Sequence, residues 1–102
     1  MGCQKVVCFK FKNGVTSEEI KRHMDDFCKL KDDIPQITSY YAGKTLTGDD
    51  GAMPEYDSMH YLIFRNHEDS EIYNHHEAHQ NFVKRNNSLW DKVFVALSEI
   101  ND

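Results

Sequence analysis

The chain of 102 residues carries 17 acidic against 12 basic side chains, a net charge of −5 with histidine neutral, and is 39% hydrophobic. That length and apolar content suit one domain spanning 1–102 with a single core, and the acidic balance, with no basic run beyond those in FKFK and VKR, excludes nucleic acid as a partner. No stretch approaches the roughly 18 apolar residues that a membrane span needs, and the start lacks the charged-then-apolar pattern of a signal peptide, so no membrane partner and a cytoplasmic location are expected.

Taken in chain order, KVVCFKFK (Lys5 to Lys12) is rich in β-branched and aromatic residues and reads as a strand. Both of its alternating phases are apolar in the first half, as in a central strand covered on both faces. Asn13 and Gly14 end it, and Thr16-Ser17-Glu18-Glu19 matches the capping box that opens a helix. The expected buried stripe of that helix is Ile20, Met24, Phe27 and either Cys28 or Leu30, ending before Pro35. QITSYYAGKTL (Gln36 to Leu46) reads as a second strand, with Gly43 expected at a bulge or a close backbone approach. Tyr40 and Tyr41 should point to opposite faces. A polar loop, TGDDGAMPE, follows and is long enough to cover a pocket mouth or brace a partner. DSMHYLIF (Asp57 to Phe64) is a third strand, Glu68 to Leu89 is helical with a break near the histidines, and KVFVALSEI closes as a fourth strand.

The order is β-α-β-β-α-β, an α+β, ferredoxin-like arrangement with an antiparallel sheet and both helices on one face. Val6, Cys8 and both phases of MHYLIF supply apolar side chains to two faces, and helices cover only one. The second face therefore calls for a partner, and a homodimer packed sheet face to sheet face is expected. Cys3, Cys8 and Cys28 are odd in number and follow no C-x-x-C spacing, so they read as free thiols.

EIYNHHEAHQNFVK places His75, His76 and His79 within five positions, beside Tyr73. On a continuous helix His75 and His79 would share a face, yet HEAH is one residue short of H-E-x-x-H and no third ligand has the right spacing. No metal site and no cofactor are expected.

VVCFKFKNGVTSEEI, IPQITSYYAGK and above all YNHHEAHQNFV resemble the stress-responsive dimeric α/β-barrel family (Dabb), whose signature is His-Pro-Ala-His-Gln-x-Phe. The resemblance covers nearly the whole chain and implies two ferredoxin-like protomers closing their sheets into a barrel. It also implies a pocket between sheet and helices that binds a small, largely apolar molecule. A plant branch contains polyketide (olivetolic acid) cyclases, which makes a cyclase, lyase or isomerase the alternative reading. More distant barrels include monooxygenases and haem-binding proteins, a further alternative.

By that resemblance His79 and Tyr73 match the acid-base pair of the cyclase branch and His76 matches the first histidine of the signature. Trp90, Phe27, Met24 and His23 fall where pocket walls would lie. Glu77 stands in place of the signature proline, Lys5 and Ser58 where relatives often carry histidine, and Leu97 where cyclases carry aspartate. Lys5 or His60 would have to supply a substitute polar group.

Overall fold

The computed structural model describes residues 1–50 and 55–101. Its elements are β1 (Cys3–Phe11), α1 (Ser17–Cys28), α2 (Leu30–Asp33), β2 (Ile37–Lys44), β3 (Ser58–Phe64), α3 (His67–His75), α4 (Glu77–Asn86), a 3-10 turn (Asn87–Leu89) and β4 (Trp90–Glu99). The strands form one antiparallel sheet in the order β2-β3-β1-β4, with the helices on one face, which is the ferredoxin-like fold. Part of the loop expected to cover a pocket or brace a partner lies outside the described residues.

Two strands start two residues earlier than the sequence suggests. Cys3 pairs with both Phe64 and Glu99, so β1 extends back to it. Trp90 pairs with Phe11 across a shift in register between Lys10 and Phe11, which brings the indole into the start of β4. The irregularity in β2 falls between Ile37 and Ser39, where the Thr38 hydroxyl donates to the Ile63 carbonyl at 3.0 Å. Gly43 is neither a bulge nor a close approach: it pairs with Met59, and a Cβ built on it would meet nothing within 4 Å. Gly14, in the turn after β1, has φ of 91°, a conformation that disfavours any side chain.

The capping box forms as the sequence dictates. Thr16 Oγ1 accepts from the Glu19 amide at 3.1 Å while Glu19 Oε1 accepts from the Thr16 amide at 3.0 Å. The buried stripe of α1 differs from expectation: His23 and Phe27 are its fully buried residues, and Ile20 and Met24 are half-buried. The chain leaves α1 at Lys29, so Leu30 and Ile34 enter the core from α2 and its end instead of extending the α1 stripe. Asp26 of α1 accepts from Arg85 at 2.9 and 3.1 Å and from Asn86 at 2.7 Å, which ties α1 to the end of α4.

Period-two alternation sorts the sheet into its faces. Cys3, Lys5, Val7, Phe9 and Phe11 of β1 and Ser58, His60, Leu62 and Phe64 of β3 are buried toward the helices. There they meet Phe27, Leu30, Ile34, Tyr73 and Phe82 in one core. Tyr40 stacks on Phe27 in that layer, with ring centres 5.7 Å apart, while Tyr41 is 67% exposed on the other side. The outer face carries Tyr41, Met59 and Phe94, all exposed, beside half-buried Val6, Tyr61 and Ile63, and no described helix covers it.

Candidate functional site

The break between α3 and α4 builds the site. His76 takes an extended conformation (φ −63°, ψ 138°) and its Nδ1 accepts from the Ala78 amide at 3.0 Å, so one residue ends α3 and caps α4. The bend turns the last residues of α3 toward the first turn of α4. Tyr73 and His79 come together there with ring centres 4.5 Å apart. Asn74 fixes the arrangement from between them. Its carbonyl oxygen lies 3.1 Å from His79 Nδ1, and its side-chain oxygen accepts from Lys5 Nζ at 2.9 Å.

A carbonyl can only accept, so His79 Nδ1 must carry a proton, and the neutral ring then offers a lone pair at Nε2. Burial pushes the imidazole below its ordinary range; the Asn74 carbonyl opposes this, and the Lys5 charge adds to the depression. His79 is therefore a free base at neutral pH. Tyr73 is 2% exposed, and burial raises its phenol well above its ordinary range, so it stays protonated and can donate a hydrogen bond. Lys5, 5% exposed on β1, holds Nζ 4.9 Å from the centre of the Tyr73 ring. Burial lowers its pKa against the pull of Glu71.

These polar groups line one end of a pocket of about 330 Å³ whose other walls are apolar, among them Val7, Phe9, Phe27, Phe82, Val83 and Trp90. It opens along β4, where Val93 and Val95 remain exposed on the helix side of the sheet. Such a space, apolar apart from an imidazole lone pair, a phenol, an amine and the Asn74 amide, can hold a small apolar molecule by its body and polarise one carbonyl on it.

Of the residues singled out by sequence, Tyr73, His79, Phe27, Trp90 and Lys5 share this pocket. The others do not line it. Met24 faces a separate pocket of about 660 Å³ with Ile20, Leu46 and Ser58. His23 and His60 are 0% exposed core residues. His23 Nε2 accepts from the Trp90 indole at 2.9 Å, and His60 Nδ1 lies 2.7 Å from the Tyr40 hydroxyl while its ring stacks on Phe27. His76 is spent as the α4 cap and His75 is exposed. Among the described residues no three His, Cys, Asp or Glu side chains are grouped to hold a metal ion.

Asn74 is the residue that sequence reasoning missed. An asparagine in a helix gives no periodic signal, and only its place just before the helix break would have marked it. Lys5 stood out as a departure from the family pattern and as a substitute polar group, and it lines the pocket.

A family model described as the stress responsive A/B barrel domain matches residues 3–98. No curated protein matches the sequence. Among solved structures, a protein from Arabidopsis thaliana is similar at 23% identity and a TM-score of 0.87, over 98% of this chain and 96% of its own. A hydroxynitrile lyase from Passiflora edulis is similar at 16% identity and a TM-score of 0.87, over 99% and 94%. A dimeric ferredoxin-like protein of unknown function from Thermobifida fusca is similar at 19% identity and a TM-score of 0.83, over 98% and 92%. At these identities the likeness is one of fold.

Proposed function

The chain belongs to the stress-responsive A/B barrel domain family, and on that premise we propose that it binds a small, largely apolar carbonyl compound in the pocket between Tyr73 and His79. The observation that carries this reading is the tautomer of His79: with Nδ1 held by the Asn74 carbonyl, Nε2 presents an acceptor in an otherwise apolar space beside the Tyr73 phenol. A β-diketone suits both groups, its carbonyl oxygen accepting from Tyr73 and its acidic carbon or enol facing His79. The pocket volume of about 330 Å³ sits at the low end of the roughly 300–1,000 Å³ of small-ligand sites, which supports a small molecule over a haem-sized group.

Calorimetric titration with benzoylacetone tests the reading. Binding to the wild type, weakened about tenfold or more in His79→Ala with an unchanged circular dichroism spectrum, is the expected result; equal affinity in the two proteins would rule out the pocket as the binding site.

A second reading is favoured by the placing of the His79 imidazole, its Nδ1 held by the Asn74 carbonyl, beside the Tyr73 ring. A neutral imidazole aimed at a bound β-diketone can act as general base, with the Tyr73 hydroxyl steadying the enolate, in a reaction of the lyase, cyclase or isomerase class. Exchange of the central carbon proton of benzoylacetone in deuterated water should slow by roughly 10²-fold in His79→Gln, the scale of one general base. Unchanged exchange in both His79→Gln and Tyr73→Phe would eliminate catalysis.

The exposed apolar outer face supports a homodimer packed through the sheets, and the fold shared with the dimeric Thermobifida fusca protein supports it too. Three free cysteines fit a reducing compartment such as the cytoplasm. No described helix is long and apolar enough to cross a membrane.

A further inference from the structure

We propose that Lys5 is a reactive amine that forms a Schiff base with an aldehyde or ketone held between Tyr73 and His79; this rests on the pocket being a ligand site. The first support is placement. Lys5 is the third residue of β1, one of the two inner strands, on the helix-facing side, and lines the pocket at 5% exposure. Lys10 and Lys12 of the same stretch are half-buried and exposed.

The second support is the company it keeps. The ion pairs among the described residues engage Lys21, Lys31, Lys92, Arg65, His67 and Arg85, and none of them Lys5. Its hydrogen-bond acceptor is a neutral amide oxygen, and the rings of Tyr73 and Phe64 lie 4.9 and 6.0 Å from Nζ. An ammonium taken out of water without a carboxylate at contact distance is costly, so this environment favours the free amine. Of the titratable groups around it, Glu71 pulls toward the charged form, while His79 and Tyr73 are neutral at pH 7 and offset little of the desolvation.

The step balances within the site. The Nζ lone pair attacks the carbonyl carbon and forms the C–N bond while the C=O π pair moves to oxygen, whose developing charge the Tyr73 hydroxyl meets. His79 Nε2 takes a proton from Nζ and returns it to that oxygen, giving the carbinolamine. A second transfer of the same kind releases the oxygen as water and leaves the C=N bond. Both amine protons depart with the water, and nothing is oxidised or reduced.

The test is reductive trapping of the wild-type protein with hexanal and sodium cyanoborohydride at pH 7. Peptide mass spectrometry then compares Lys5 with exposed Lys21. Burial that favours the free amine and a pocket that holds the aldehyde beside Nζ should together make Lys5 label faster than Lys21. Unreactive 1-hexanol, whose binding is followed by NMR, should slow Lys5 and leave Lys21 unaffected. Lys5→Arg should lose the fast adduct. If 1-hexanol binds while Lys5 labels no faster than Lys21, the amine chemistry is overturned and the pocket reading stands. If 1-hexanol does not bind and Lys5 shows no fast labelling, both are overturned.

Discussion

His23 and His60 are the residues that depart most from what a hydrophobic core normally holds. Both are 0% exposed, with ring centres 6.2 Å apart, and each has one ring nitrogen engaged and the other without a protein partner. The indole N–H can only donate, so a neutral His23 accepts at Nε2 and carries its proton at Nδ1, one of the unpartnered atoms. Burial pushes His23 down to about 4, although Asp26 pulls the other way, and burial together with the neighbouring His23 pushes His60 down to about 3. The sign follows from linkage. Both folded pKa values lie below the unfolded value of roughly 6.5, so between that pH and the folded values the unfolded chain binds more protons than the folded one. The contribution of these two histidines should be level above about pH 7 and fall as pH drops from 6.5 toward 4, by up to about 1.4 kcal/mol per pH unit for each. Urea unfolding measured from pH 4.5 to 7.5 should show this slope, and His60→Val should make it shallower. A wild-type curve flat across that range would refute the account.

At the scale of elements, the junction at His76 explains how the chain keeps its geometry without the signature proline. Glu77 is the first helical residue of α4, where an amide has no intrahelical partner, and His76 before it is already extended. Both conditions suit proline, which fixes φ near −65° and drives its predecessor out of the helical region. Glu77→Pro should therefore change stability by less than about 1 kcal/mol, since the reduced freedom of the unfolded chain offsets the lost charge near the helix dipole. Glu71→Pro, inside α3, should cost about 3 kcal/mol. Thermal unfolding of the two variants compares them directly, and equal losses would mean that the junction is not what places Tyr73 beside His79. Much of this was legible beforehand: the order of elements, the capping box at Thr16 and the helix break all follow from residues that punctuate the chain. The buried histidines were not, because a histidine within an amphipathic stripe scores as polar and only the three-dimensional core shows which polar residue is enclosed. The starts of β1 and β4 were missed because Cys3 and Trp90 join their strands through pairing with distant partners, which local composition does not report.

For the whole molecule, the unsettled surface is the outer face of the sheet. Exposures of 67% at Tyr41, 47% at Met59 and 45% at Phe94 place three large apolar side chains on one face, with Val6, Tyr61 and Ile63 half-buried among them. A monomer rarely leaves a patch of that character in water, and a stable homodimer needs roughly 1,200–2,000 Å² of such surface in total. Packing through this face would be isologous, so any charge placed on it appears twice, facing its own kind or an apolar neighbour. Met59→Lys with Phe94→Lys should therefore cost several kcal/mol of association, while the helix-side core and the Tyr73–His79 pocket, on the opposite face, keep their packing. Sedimentation equilibrium over about 1–100 μM should find the wild type dimeric and the double variant monomeric, with its circular dichroism spectrum retained. A variant that stays fully dimeric would move the interface to another surface, the exposed edge of β4 being the next to examine, and a monomeric wild type would remove the two-sheet barrel altogether. Benzoylacetone affinity measured on the monomeric variant then separates the two halves of the proposal: each pocket is lined from one protomer's own strands and helices, so binding should survive the loss of the dimer.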